Sequence, residues 1–155
     1  MEAKEYYQYH LKITDGKISS IKLEDKEGKV VEVNTFEKPV TRKDLSKLYV
    51  VKHQSEIIYV GVTSQGIRDR LRYGFQAKGK HGYHGYHWKD LDEIDLLVWC
   101  FPEEPKRIES IEAELVYLVR NHTGQWPEYQ TEIHFHKVTE EEKKVAESIY
   151  QETLK

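Results

Sequence analysis

From Tyr6 to Val33 apolar and polar residues alternate, and the alternation breaks at Asp15-Gly16 and Glu27-Gly28. A period of two is that of a half-buried strand, and Asp-Gly is a favoured hairpin turn. The pattern predicts an antiparallel meander with strands at about 6–13, 18–24 and 29–34. A linker with Pro39 and a short turn near Arg42 to Ser46 follow. Leu48 to His53 and Ile57 to Val62 are β-rich and joined through Gln54-Ser55-Glu56, which predicts a second hairpin. Thr63 to Gly66 offers capping and turn chemistry before Ile67, Leu71 and Phe75, whose four-residue spacing predicts a short amphipathic helix.

The unbroken apolar run Ile94 to Phe101 predicts a strand buried on both faces, closed by Pro102 and Pro105. A helix over about Lys106 to His122 follows, with Ile108, Ile111, Leu115, Leu118 and Val119 on one face and Gly124 as its stop. Ile133 and Phe135 alternate with His134 and His136 as a short last strand, and Thr139 with Glu142 forms a capping box for a polar terminal helix. The expected architecture is a compact α/β (α+β) domain. A central mixed or antiparallel sheet of about three strands is flanked by helices, with an N-terminal β-meander appendage and a C-terminal helix.

At 155 residues, 38% of them hydrophobic and 33% charged, the chain is long enough for one core and too apolar to be disordered. Cys100 is the only cysteine and lies inside the apolar run, so it reads as core filling in a reducing, cytoplasmic setting. No apolar run approaches the roughly 20 residues of a membrane span, and Met1 to Glu5 does not read as a signal peptide.

The net charge of -3 argues against nucleic-acid binding until its distribution is considered. Between Ile67 and Lys89 stand Arg68, Arg70, Arg72, Lys78, Lys80 and Lys89 against a single acid, Asp69, with His81, His84 and His87 interspersed. Tyr73, Phe75, Tyr83, Tyr86 and Trp88 interrupt that run, and basic residues interleaved with stacking rings suit a surface that tracks a nucleic-acid backbone. The bland alternative is a solvated basic face. His81-Gly82-Tyr83, His84-Gly85-Tyr86 and His87-Trp88 repeat with a period too short for a helix or strand face, and read as a loop.

Lys47-Leu48-Tyr49, then Tyr59-Val60-Gly61 ten residues after Tyr49, an arginine-bearing helix, a strand and a glutamate-bearing helix make an ordered set. In that order the segment of about 46–136 resembles the core of the GIY-YIG nucleases, and its layout is similar to that of the small restriction endonucleases among them. The resemblance divides the chain into a β-rich appendage at 1–45, a nuclease-like core at 46–137 and the C-terminal helix at 138–155. It implies metal-dependent endonucleolytic hydrolysis of DNA, with Mg²⁺ as cofactor and Mn²⁺ able to replace it. Tyr49, Tyr59, Arg70 and Glu114 would be the catalytic residues and Glu114 the metal ligand, with Glu112 as a second register for that carboxylate.

A phenol can act as a base only where positive charge lowers its pKa, and Arg70 opposite the paired tyrosines is expected to supply that charge. One carboxylate suffices for a hydrated Mg²⁺ that also takes a substrate oxygen. Arg68, Arg72, Lys78, Lys80, His84, His87 and Lys89 are expected to grip duplex DNA, and a palindromic cutter would favour a homodimer. Two positions depart from the family pattern. Gly74 stands where a histidine is common, for which His84 or His87 could substitute, and Gln130 stands in place of the usual asparagine. These departures leave open a rival reading, a nucleic-acid-binding module on the same fold without turnover.

Overall fold

A computed structural model describes every residue except Ala3, Lys4, Glu132 and His136. The strands are β1 (Tyr6–Thr14), β2 (Lys17–Glu24), β3 (Val30–Val33), β4 (Ser46–His53), β5 (Glu56–Thr63) and β6 (Glu93–Phe101). They form one open sheet in the order β3-β2-β1-β6-β4-β5, and every neighbouring pair is antiparallel. The sheet has six strands, not the expected three, and no mixed pairing. β6 explains the difference. Apolar on both faces, it has to satisfy its backbone groups on both edges without water. It does so against β4 on one side and β1 on the other, where Tyr6 to Lys12 oppose Trp99 to Glu93. The N-terminal meander is thus continuous with the central sheet.

Two of the three hairpin turns use consecutive residues in backbone that ordinary residues rarely adopt. Asp15 and Gly16 join β1 to β2 with φ of 52° and 72°, and Gln54 and Ser55 join β4 to β5 with 51° and 68°. Two consecutive residues at positive φ give a turn whose twist matches that of paired strands. Three helices complete the chain: α1 (Ile67–Gln76), α2 (Pro105–Thr123) and α3 (Glu140–Thr153). Thr139 caps α3 through the full capping box with Glu142, and Gly124 ends α2 in the left-handed region at φ 81°. α1 has no side-chain cap, and the Thr63 hydroxyl instead accepts from Gln65 N at 3.1 Å to hold the preceding turn.

The sheet separates two cores. On one face Tyr9, Leu11, Tyr49, Val51, Leu96 and Val98 pack with Ile67, Leu71 and Phe75 of α1 and with Trp88. On the other, Leu48, Val50, Leu97, Trp99 and Phe101 pack against α2 and α3. β4 and β6 alternate between the two cores, which is why both read as continuous apolar runs. Each fully buried large side chain contributes roughly 1.5–3 kcal/mol. Lys47 breaks the apolar pattern of β4 yet is fully buried. Its ammonium donates to the carbonyl oxygens of Arg42, Leu45 and Ser64, and so ties the turn before β4 to the turn before α1. Burial lowers its pKa.

Ile133 and Phe135 do not form the expected strand. They lie over α2 beside Tyr117 and Trp126, with Phe135 85% exposed, and His136 is outside the described residues. Three alternating residues carry too little ladder to hold an edge unaided. Tyr129 and Gln130 cover that edge of β5 instead: Tyr129 N donates to Ile58 O at 2.9 Å. The Gln130 side chain accepts from Val60 N at 3.0 Å and donates to Val60 O at 3.1 Å. Among the described residues no helix is long and apolar enough to cross a membrane.

Candidate active site

Tyr49 and Tyr59 reach the α1 face of the sheet from neighbouring strands, with ring centroids 6.1 Å apart. Tyr49 is completely buried, and Tyr59 is half-buried. Tyr49 is paired in register with Gly61, and its ring lies over that glycine. α1 brings Arg70 to the same place by holding it off the packed stripe of Ile67, Leu71 and Phe75. The loop after α1, folded around a 3-10 turn at Lys80–Gly82, closes the cluster with Tyr83, Tyr86 and Trp88. Arg70 donates to the Tyr83 hydroxyl at 3.0 Å, and its guanidinium stands 4.8 Å from the centre of the Tyr86 ring. Tyr49 Oη and Tyr86 Oη are 2.8 Å apart.

Burial governs the protonation of these phenols. It raises Tyr49 well above the ordinary phenol value, assisted by Tyr86 and Glu112 and opposed by Arg70. Tyr59 is raised by burial, with Tyr49 and Glu112 adding to the shift and Arg70 opposing it. Tyr86 is raised by burial too, partly offset by Arg70 and by its bond to Tyr49. Arg70 acts in the expected direction on each phenol, but desolvation in the packed face outweighs one cation and the net shift is upward. All three phenols are protonated at neutral pH, as donors and acceptors rather than ready bases.

Two residues apart on α2, Glu112 and Glu114 point roughly 200° apart. Both are half-buried. Glu112 is the carboxylate whose charge reaches Tyr49 and Tyr59. Glu114 lines a hollow formed with Ala113, Tyr117, Trp126, His134 and Phe135. Tyr49, Tyr59 and Arg70 thus come together on the α1 face, while Glu112 and Glu114 stand on α2, which packs on the other face of the sheet, and Glu114 lines a hollow there. Among the described residues no group of three His, Cys, Asp or Glu gathers around a common point.

The basic run is dispersed. Arg68 and Arg72 are exposed on the side of α1 away from Arg70, where with Lys17 they border a hollow against the turn between β1 and β2. Lys78, Lys80, His84 and His87 are exposed on the loop. Lys89 is half-buried and donates to Ala77 O at 3.0 Å and His84 O at 2.9 Å, fastening the loop to itself. Tyr73 and Tyr83 stack at 4.9 Å within 11° of parallel, and Tyr73 is 58% exposed. Cys100 is held as a thiol, pushed up to about 11 by burial.

The sequence places Phe75, Tyr86 and Trp88 among the stacking rings of a nucleic-acid surface, but all three are buried, and Tyr86 and Trp88 form the floor of the cluster, with rings stacked at 4.4 Å. Two glycines carried a signal. A Cβ on Gly74 would lie 2.1 Å from the Tyr86 ring, and one on Gly85 would lie 2.0 Å from Gly74 O. No family model, curated protein or solved structure matches the chain.

Proposed function

We propose that this chain is a metal-dependent endonuclease domain that hydrolyses DNA phosphodiester bonds at a GIY-YIG-like site. The observation that carries this reading is the convergence of Tyr49, Tyr59 and Arg70 around one cluster, at positions whose spacing resembles that family's motif. Arg70 is always charged and half-buried, so it can hold two phosphate oxygens against a surface of low polarity. Tyr59 reaches the surface and can donate to a third oxygen.

Hydrolysis forms a bond from water oxygen to phosphorus and breaks the bond to the departing alkoxide. One proton leaves the water and one joins the alkoxide. Protonated phenols suit the second transfer directly. They suit the first only if further positive charge enters the site, since Arg70 alone does not overcome burial. A carboxylate of α2 would hold that charge: Glu114 by the family's spacing, or Glu112 in the second register, whose charge acts on Tyr49 and Tyr59. A single carboxylate fits Mg²⁺, or Mn²⁺ in its place, because such an ion keeps most of its waters. Bound there, it supplies charge to the phosphate and lowers the pKa of water.

A second reading, a DNA-binding module without turnover, draws support from the raised pKa values of all three phenols. A plasmid-nicking assay separates the two. Nicks that appear with Mg²⁺ or Mn²⁺ and stop on chelation support the nuclease; duplex binding with no metal-dependent nicks supports the module.

A further inference from the structure

Position 74 stands one helical turn after Arg70 and on the same side of α1, where a side chain would reach the phenol cluster. It is glycine, and the space is taken. A Cβ there would lie 2.1 Å from Cε2 of Tyr86, which enters from the loop rather than from the helix. The intrusion is built in. Tyr86 N donates to Gly74 O at 3.1 Å. Gly85, at φ 79°, has no side chain to hold the loop off the helix. The ring is clamped between Trp88, stacked at 4.4 Å, and the edges of Tyr59 and Phe75.

A ring packed this way could be phenylalanine as far as shape is concerned. The hydroxyl is the added feature. It is buried with the rest of Tyr86 and meets the Tyr49 hydroxyl at 2.8 Å, with the Arg70 guanidinium over the ring. A buried hydroxyl without a partner is costly, and the bond satisfies both phenols, with Tyr59 a further partner for Tyr49. Either hydroxyl can donate in that bond, and both lie inside the packed cluster.

We propose that Tyr86 is a positioning residue of this site: from the loop it fills the place of a helix side chain one turn after Arg70, and its hydroxyl fixes the Tyr49 hydroxyl within the phenol cluster beside Arg70. The catalytic half of this inference rests on the nuclease reading, and the coupling of the two phenols does not.

Tyr86→Phe tests it, since the ring, its stacking on Trp88 and its fill beside Gly74 all survive. The variant should stay folded with a modestly lower melting temperature, because Tyr49 loses one hydrogen-bond partner. Turnover on plasmid DNA should fall about 100-fold, the scale on which a positioned proton-handling group contributes, with KM for DNA unchanged. In protein carrying isotope-labelled tyrosine, the ring carbon of Tyr49 that bears the hydroxyl should shift at neutral pH, because its hydrogen-bond partner has gone. Gly74→His combined with Tyr86→Gly, which returns a polar side chain to the helix, should recover part of the turnover. Wild-type turnover with an unmoved Tyr49 resonance in Tyr86→Phe overturns the proposal. A wild type that never nicks DNA removes the nuclease reading, and the Tyr49 resonance then decides the coupling alone: a shift upholds it and no shift overturns it.

Discussion

The phenol ring of Tyr49 occupies the place of a side chain on Gly61, its partner across the β4–β5 pair. A Cβ at Gly61 would lie 2.4 Å from Tyr49 Cζ. The spacing of Tyr59 and Gly61 thus has a mechanical cause: the glycine makes the room into which the first tyrosine of the pair lies. Tyr49 is fully buried and cannot swing aside. Gly61→Ala should therefore cost about 1–3 kcal/mol of stability through overpacking, read as a lower melting temperature. Nicking at a temperature where the variant is fully folded should also fall, because the displaced ring moves away from Tyr86, whose hydroxyl it meets at 2.8 Å. A variant that melts and cuts like the wild type would remove the steric argument.

Glu112 and Glu114 should separate cleanly by substitution. Glu112→Gln removes the carboxylate whose charge reaches both Tyr49 and Tyr59, while keeping its shape. Metal-dependent nicking should drop by at least about 100-fold at a temperature where the variant is folded. Glu114→Gln alters the hollow beside Tyr117 and Trp126 and should leave nicking within a few-fold of the wild type. The opposite ranking in the same assay would assign the metal to Glu114.

Periodicity made most elements legible: the predicted meander, second hairpin, apolar strand and three helices all form, because each buries a stripe whose spacing the backbone dictates. Pairing of β1 with β6 was not legible, since a strand's choice of a distant neighbour leaves no local pattern. Nor was the choice between Glu112 and Glu114. Helical phase places them on different faces, but which face meets the site depends on how α2 crosses the sheet. The intrusion of Tyr86 is set by loop geometry, and only Gly74 and Gly85 hinted at it. Burial, a tertiary property, also decided the phenol protonation against the local expectation drawn from Arg70.

DNA affinity should depend on the exposed cations and not on the whole basic run. Arg68, Arg72, Lys78 and Lys80 stand in solvent, whereas Lys89 is committed to two carbonyl oxygens. Replacing the four by Gln should weaken duplex binding and reduce the slope of log affinity against log salt, by roughly 1 for each phosphate no longer neutralised. Lys89→Gln should act mainly on loop stability, with little change in that slope. An unchanged slope in the fourfold variant would locate the DNA path elsewhere.

His10 makes stability depend on pH. Its Nδ1 stands 2.5 Å from Asp95 on β6 and its Nε2 3.1 Å from Glu24 on β2, so the ring bridges three strands. Burial alone would lower its pKa, but the bonds to the two carboxylates reverse the sign and raise it above 6.5. A group whose pKa rises on folding binds its proton more tightly in the native state. Its contribution is fully present below the unfolded value of 6.5 and is lost as pH climbs through the higher folded value. Thermal melts should therefore show the wild type losing an advantage over His10→Gln on passing from mildly acidic to mildly alkaline buffer, the gap being widest at the acidic end. A gap that stays constant across that range, or widens with pH, would mean that the ring bridges the strands as a neutral group.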